Sequence, residues 1–148
     1  ETAPFPGFPT DLQAPFTALM TIANGESKIT ETIFENRMNH IYLLNEMGAR
    51  IKLNKNVAHI KGVKTIKGMN LVGSDLRSSA ALIIAGIIAK GSSKIYGLEH
   101  LDRGYENFEL KLKKLGIKIT REVSKSTFEK NEYKIKTKSE KLSKLEAA

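Results

Sequence analysis

The sequence predicts an α+β fold made of two copies of one helix, strand, helix, hairpin unit, with the helices inside and the sheets wrapped outside. Three observations lead there. The order of elements recurs along the chain, with Asp11 and Asp75 at an offset of 64, Gly25 and Gly91, like Arg37 and Arg103, at 66, and Gly48 and Gly116 at 68. One predicted helix, 75–89, is apolar on nearly every side and must lie in the interior. Short strands alternate apolar and polar residues, as strands with one buried face do. Two such units bury their apolar helices only by packing against neighbouring copies.

The first unit covers about 11–66. Pro4, Pro6 and Pro9 forbid a helix upstream, and Thr10 and Gln13 stand at capping-box spacing, which starts a helix at Asp11. Leu12, Phe16, Leu19, Met20 and Ala23 form its apolar face, and Asn24-Gly25 supplies a left-handed cap. "SKITETI" reads as a strand, and "FENR" as a loop into a helix with Ile41, Leu44 and Met47 inward, stopped by Gly48. "ARIKL", the turn Asn54-Lys55-Asn56 and "VAHI" then make a hairpin.

The second unit covers about 75–120. Ser74 is placed to cap a helix whose first residue is Asp75 and which runs through Ala89 to Gly91. "SSKIY" is its strand, "EHLDRGYE" its loop, Phe108 to Leu115 its second helix, Gly116 the cap and "IKIT" the next strand. Phe16, Phe34 and Phe108 read as core residues. After Thr120 the pattern fails. Residues 121–148 are Lys-, Ser- and Glu-rich and read as an extension, either a short strand plus a frayed helix or a tail, with no chemistry assigned.

Composition narrows the function. The chain has 148 residues, 41% of them hydrophobic, enough for a globular core. The longest apolar run, "AALIIAGIIA" at 80–89, is far short of the roughly 18 residues of a membrane span, so no membrane is expected and a cytoplasmic location is the default. With no cysteine there is no disulfide, thiolate metal site or cysteine nucleophile in these residues, and His40, His59 and His100 show no ligand spacing, so no metal is expected. The net charge of +8 is spread along the chain and carried mostly by lysine, which argues against a nucleic-acid-binding face. Against that background the arginines stand out, because only guanidinium offers a planar fork for phosphate or carboxylate.

The repeat puts like residues in like places: Asp11 and Asp75 at helix starts, Arg37 and Arg103 in the loops after the next strand, and Arg77 beside Asp75. Each has a plain structural reading. An acid in a first helical turn complements the helix dipole, and a loop arginine ties its loop down through an ion pair. Together they are candidates for one cleft holding two acids and three guanidiniums.

Four linked stretches, "TAPFPGFPTDLQAPF", "ITETIFENRMNH", "GSDLRSSAAL" and "HLDRGYENFELKLKKLG", resemble the carboxy-terminal part of the UDP-N-acetylglucosamine 1-carboxyvinyltransferase family. These are the enolpyruvyl transferases of the first committed step of peptidoglycan synthesis. The sister family that makes enolpyruvylshikimate phosphate shares the fold but not the "PTDLQ" and "FENR" motifs. The resemblance spans about 1–120 and implies an inside-out α/β barrel-like architecture of repeated βαβαββ units. It implies UDP-N-acetylglucosamine and phosphoenolpyruvate as substrates, no metal or organic cofactor, and a monomer when complete. It makes Asp11 the general base on the sugar 3-hydroxyl, Ile33 a backbone contact to the nucleotide sugar, and Arg37, Arg77 and Arg103 ligands of phosphoenolpyruvate or phosphate. Asp75 matches an active-site acid. The family's proton donor, a cysteine or aspartate, and a lysine-asparagine pair lie outside these residues, so the chain alone is expected to be inactive. The alternative is a non-catalytic truncated copy or a basic binding module.

Overall fold

The computed structural model describes residues 1–122 and 132–136. A short 3-10 turn, Thr10–Leu12, leads into α1 (Gln13–Met20), followed by β1 (Glu26–Thr30), α2 (His40–Glu46), β2 (Arg50–Asn54) and β3 (Val57–Lys61). The three strands form an antiparallel sheet in the order β1-β3-β2. Asn54 faces Val57 across the hairpin, which leaves Lys55 and Asn56 as its turn, with Lys55 at φ 53°.

The second unit begins with β4 (Asn70–Val72) and α3 (Leu76–Ile88). It continues through β5 (Ser92–Tyr96), α4 (Leu98–Leu101), α5 (Phe108–Lys114), β6 (Ile119–Glu122) and β7 (Glu132–Lys136). Its sheet runs β4-β5-β7-β6, with β4 parallel to β5 and the other pairs antiparallel. The order β5-β7-β6 reproduces β1-β3-β2, so the repeat seen in the sequence is a repeat of topology. Equivalent glycines agree: Gly25 and Gly91, before β1 and β5, have φ of 101° and 99°, and Gly48 and Gly116, just past the caps of α2 and α5, have 98° and 84°, a left-handed conformation that side chains disfavour. α1 itself ends at Met20, short of the expected Asn24-Gly25 cap.

β7 lies in the stretch that the sequence sets apart after Thr120. Its Tyr133 and Ile135 are buried, alternating with Lys134 and Lys136. This is the short strand that one of the two readings of the extension allows, and the surrounding lysines leave it only a two-residue signal. The rest of that extension, 123–131 and 137–148, lies outside the described residues.

α3 is the centre of the molecule. Ser78 through Ile83, Ala85 and Gly86 are all buried, and the helix packs against α1, α2, α4, β5 and β7. At Gly86 a Cβ would stand 3.0 Å from Ile135 Cδ1, so the helix and β7 meet where only hydrogen fits easily. Around it α1 presents Gln13, Ala14, Thr17 and Ala18, not the expected apolar face. Leu12, Phe16 and Leu19 are 50%, 41% and 45% exposed. Small residues on both α1 and α3 let the helices approach closely, and the larger side chains of α1 stay outside that contact.

Other expectations are corrected locally. The Thr10/Gln13 capping box does not form, no side chain caps α1, and the α-helix proper starts at Gln13. Asp75, not Ser74, caps α3. The loop "EHLDRGYE" contains α4, because Leu98 and Leu101, both fully buried, share one face at helical spacing. The strand expected at "IKIT" runs Ile119–Glu122.

β2 is an edge strand, and its open side is closed by a side chain. Asn45, near the end of α2, donates from Nδ2 to the Ile51 carbonyl (2.9 Å) and accepts the Ile51 N–H at Oδ1 (3.0 Å). The amide thus stands in for a fourth strand at that residue. Asn45→Ala leaves both groups without a protein partner and is expected to lower stability by about 1–3 kcal/mol. Urea unfolding measures this, and an unchanged midpoint would show that the clamp contributes nothing.

Candidate functional site

The site is organised around Glu31, the residue after β1, which is 2% exposed. Alternation along β1 turns Ile29 inward, and Glu31, two residues on, follows it to the same side, so the carboxylate is carried inward with that isoleucine. Its Oε1 accepts from Thr2 Oγ1 (3.0 Å) and from the N–H groups of Ile33 (2.9 Å) and Phe34 (3.2 Å), and its Oε2 accepts from Thr10 Oγ1 (2.7 Å). Burial pushes its pKa up. The bonds from Thr10, Ile33, Phe34 and Thr2 together outweigh burial and hold the carboxyl below its ordinary value.

Thr10 passes this order on. Its hydroxyl accepts from Arg37 Nη1 (2.9 Å), whose guanidinium lies over the Phe34 ring with its carbon 3.7 Å from the centroid. Asp11 follows Thr10. Its Oδ1 receives Arg77 Nε (2.7 Å) and Nη2 (2.6 Å), with Arg37 Nη1 at 3.5 Å. The Asp11 side chain is 69% exposed, while those of Arg37 and Arg77 are only 19% and 30% exposed. Two guanidiniums therefore hold one oxygen of an outward-facing carboxylate, and Oδ2 makes no hydrogen bond among the described residues.

Arg77 is aimed by the start of α3. Asp75 Oδ1 accepts the N–H groups of Arg77 (2.9 Å) and Ser78 (3.0 Å), and its Oδ2 accepts from Ser74 Oγ (3.1 Å). Both oxygens of Asp75 are thereby engaged. Of the site residues read from the sequence, Asp11, Arg37 and Arg77 are in direct contact, with Asp75 behind them. Arg103 stands apart, exposed on the loop after α4, and makes no hydrogen bond or ion pair among the described residues. That loop still borders the start of α3, since a Cβ on Gly104 would lie 3.0 Å from both Cδ atoms of Leu76. Ile33 donates its backbone N–H to Glu31 Oε1.

Four contributors escape the sequence reading: Thr10 as a bridge, Glu31, His40 and Phe34. Phe34, expected in the core, is 49% exposed and serves as the platform for Arg37. His40 could have been found from its spacing to Leu44 and Met47, which puts it on the inward face of α2. It is 1% exposed, and burial pushes its pKa down to about 4, opposed by the Asp75 charge and a hydrogen bond to the Arg37 backbone. Arg37, His40, Asp75, Arg77 and Ser78 line one cavity of about 330 Å³. Chemically, the exposed Asp11 carboxylate can accept a proton from a ligand hydroxyl, and the guanidinium forks offer donors to an anion held beside it.

This fold and this set of residues belong to a recognisable class. Residues 1–112 match the family model for EPSP synthase (3-phosphoshikimate 1-carboxyvinyltransferase), and the chain belongs to that family. It is 89% identical over its whole length to the UDP-N-acetylglucosamine 1-carboxyvinyltransferase of Prochlorococcus marinus (strain AS9601), of which it covers 32%. It is 55% identical over 121 residues, 82% of the chain, to the enzyme of the same name from Synechocystis sp. (strain ATCC 27184 / PCC 6803 / Kazusa), of which it covers 28%. The chain therefore spans about a third of the length of the curated relatives it matches. Among solved structures it resembles the enolpyruvyl transferase NikO from Streptomyces tendae, with a TM-score of 0.68 and 25% identity over 88% of this chain and 27% of that one. EPSP synthase from Acinetobacter baumannii shares the fold at a TM-score of 0.61 and 15% identity, covering 87% of this chain and 29% of that one.

The buried imidazole makes stability depend on pH. The unfolded ring takes its proton near pH 6.5 and the folded ring near 4, so acidification across that interval favours the unfolded state. Stability is expected to be full above pH 6.5 and to fall by up to about 3 kcal/mol towards pH 4. Protonation of Glu31 adds to the loss further down. Denaturant unfolding at a series of pH values, repeated with His40→Gln, checks this: the variant should show a much shallower slope between pH 6.5 and 4, and an unchanged slope would count against the assignment.

Proposed function

We propose that the protein to which this chain contributes transfers the enolpyruvyl group of phosphoenolpyruvate to the 3-hydroxyl of UDP-N-acetylglucosamine, releasing phosphate. The observation that carries the proposal is the exposed Asp11 carboxylate held through one oxygen by Arg37 and Arg77, in a chain whose highly identical relatives bear that enzyme's name. Asp11 takes the proton of the sugar hydroxyl as its oxygen bonds to C2 of phosphoenolpyruvate, while C3 gains a proton from an acid outside this chain. The tetrahedral adduct then loses a C3 proton and expels phosphate, which restores the double bond in the enol ether.

Arg37 and Arg77 have their forks at the place where the carboxylate and phosphate of the second substrate would lie, and both are already ordered before it arrives. Arg103, without a partner among the described residues, closes on the same anion from the loop beside α3. The Ile33 carbonyl receives a donor of the nucleotide sugar. Asp75 keeps Arg77 in position through its cap. This reading places the protein in peptidoglycan synthesis and cell-wall biogenesis, in the cytoplasm. Among the described residues no helix is long and apolar enough to cross a membrane.

The test is phosphate release from UDP-N-acetylglucosamine and phosphoenolpyruvate by a full-length relative whose matching third is replaced by this segment. The graft is expected to turn over, the isolated chain to be silent, and Asp11→Ala in the graft to lower kcat by about 10²–10⁴-fold. An Asp11→Ala graft as fast as its parent would remove Asp11 from the role of base.

A further inference from the structure

Arg121, on β6, lies just past the repeat pattern, in the stretch to which the sequence assigns no chemistry, and it is the one arginine among the lysine-rich residues 104–148. Its Nη1 donates to Asp102 Oδ1 (2.8 Å) and its Nη2 to Asp102 Oδ2 (2.6 Å), so one guanidinium grips both oxygens of one carboxylate. Asp102 closes α4 and directly precedes Arg103. The Arg121 guanidinium carbon also stands 5.7 Å from the centroid of the buried Tyr133 ring, whose hydroxyl donates to Glu109 Oε2 on α5 (2.6 Å).

The chain between α4 and α5 is thus tied to the second sheet on both sides, at Asp102 by Arg121 and at Glu109 by Tyr133. Between those ties the N–H groups of Gly104 and Tyr105 donate to the Leu101 carbonyl (3.1 and 3.0 Å). A Cβ on Gly104 would lie 3.0 Å from both Cδ atoms of Leu76, the residue before Arg77, so the loop is seated on the start of α3. Arg37, at the equivalent place in the first unit, is fixed through its own side chain by Thr10 and Phe34. Arg103 has no such partner among the described residues, so its direction is set by the backbone that carries it. An isolated ion pair near the surface adds little to stability. A bidentate fork, however, fixes the plane of the carboxylate as well as its distance, which a lysine cannot do.

We infer that Arg121 is a positioning residue: its fork on Asp102 holds the loop against the second sheet and so sets where Arg103 projects beside the start of α3. This rests on the transfer reaction proposed above, in which Arg103 closes on phosphoenolpyruvate. Arg121 touches no reacting atom and acts through Arg103. Its loss therefore weakens the hold on the anionic substrate, leaves the nucleotide sugar little affected, and has no further effect once the Arg103 guanidinium is gone.

The experiment uses the full-length graft, with phosphate release measured against each substrate and a melting temperature for every variant. Arg121→Met is expected to raise KM for phosphoenolpyruvate about tenfold, with KM for UDP-N-acetylglucosamine within about twofold of the parent. Arg121→Lys, which keeps the charge and loses the fork, is expected to show the same rise. Arg103→Ala is expected to raise the phosphoenolpyruvate KM by more, about a hundredfold, and the double variant Arg103→Ala/Arg121→Met to match Arg103→Ala alone. The inference is overturned if Arg121→Met matches the parent, if it raises both KM values equally in step with a lowered melting temperature, or if its tenfold effect persists in the double variant. Should Arg121→Met fail to fold, Arg121→Lys decides by the same measurements, alone and with Arg103→Ala. An active graft in which Arg103→Ala leaves the phosphoenolpyruvate KM unchanged removes Arg103 from the site, and an inactive parent graft strikes at the proposed reaction itself; the inference falls with either.

Discussion

The carboxylate of Glu31 accepts hydrogen bonds from Thr2, Thr10, Ile33 and Phe34, which lie in three separate stretches of the chain, at a point that water does not reach. A buried charge is tolerated only when its acceptor capacity is filled, and here four donors fill it. The amino-terminal segment, the turn before α1 and the loop after β1 must therefore come together in one geometry. Thr10 transmits that geometry to Arg37, and chain connectivity transmits it to Asp11. The outward-facing carboxylate is precise in direction because the carboxylate behind it is buried.

The two units share one strand order and have diverged at corresponding positions. Asp11 sits in a 3-10 turn and points its carboxylate away from the backbone, whereas Asp75 turns its own back onto the first N–H groups of α3. Arg37 is held by Thr10 and laid over Phe34, whereas Arg103 is exposed and has no partner among the described residues. One unit thus offers an outward-facing acid, held through one oxygen, with a fixed arginine, and the other an acid turned onto its own helix with an arginine that has no partner among the described residues. A site between such units has fixed and adjustable groups of both signs without needing any residue type that the repeat does not already supply.

The repeat, the interior helix and most strands were legible in the sequence because each is written in local periodicity and in glycine-marked ends. The membership of Asp11, Arg37 and Arg77 in one cluster was legible through equivalent positions and motif resemblance. What stayed hidden depends on contacts between distant stretches. Apolar spacing showed that α1 has a face, but the Ala14 and Ala18 side was chosen by the close approach of α3. The Thr10 hydroxyl was expected to cap its own helix, and a buried carboxylate 21 residues away claimed it instead. β7 carries two inward residues between lysines, enough to leave a short strand as one of two readings of the extension but too little to fix its place without the sheet that receives it.

The amide of Asn45 bears on how such a protein is assembled. By occupying the outer rim of β2, a residue of the preceding helix sets the width of the first sheet from within the same unit. Sideways growth stops there, and the next unit cannot extend that sheet by adding a strand to this rim at Ile51. Duplicating a unit of this kind therefore adds a further small sheet next to the first and does not lengthen one continuous sheet. The copies remain joined through their helices, α1 of the first against α3 of the second. A clamp of two hydrogen bonds thus helps to keep duplicated segments as separate facets around a common helical interior.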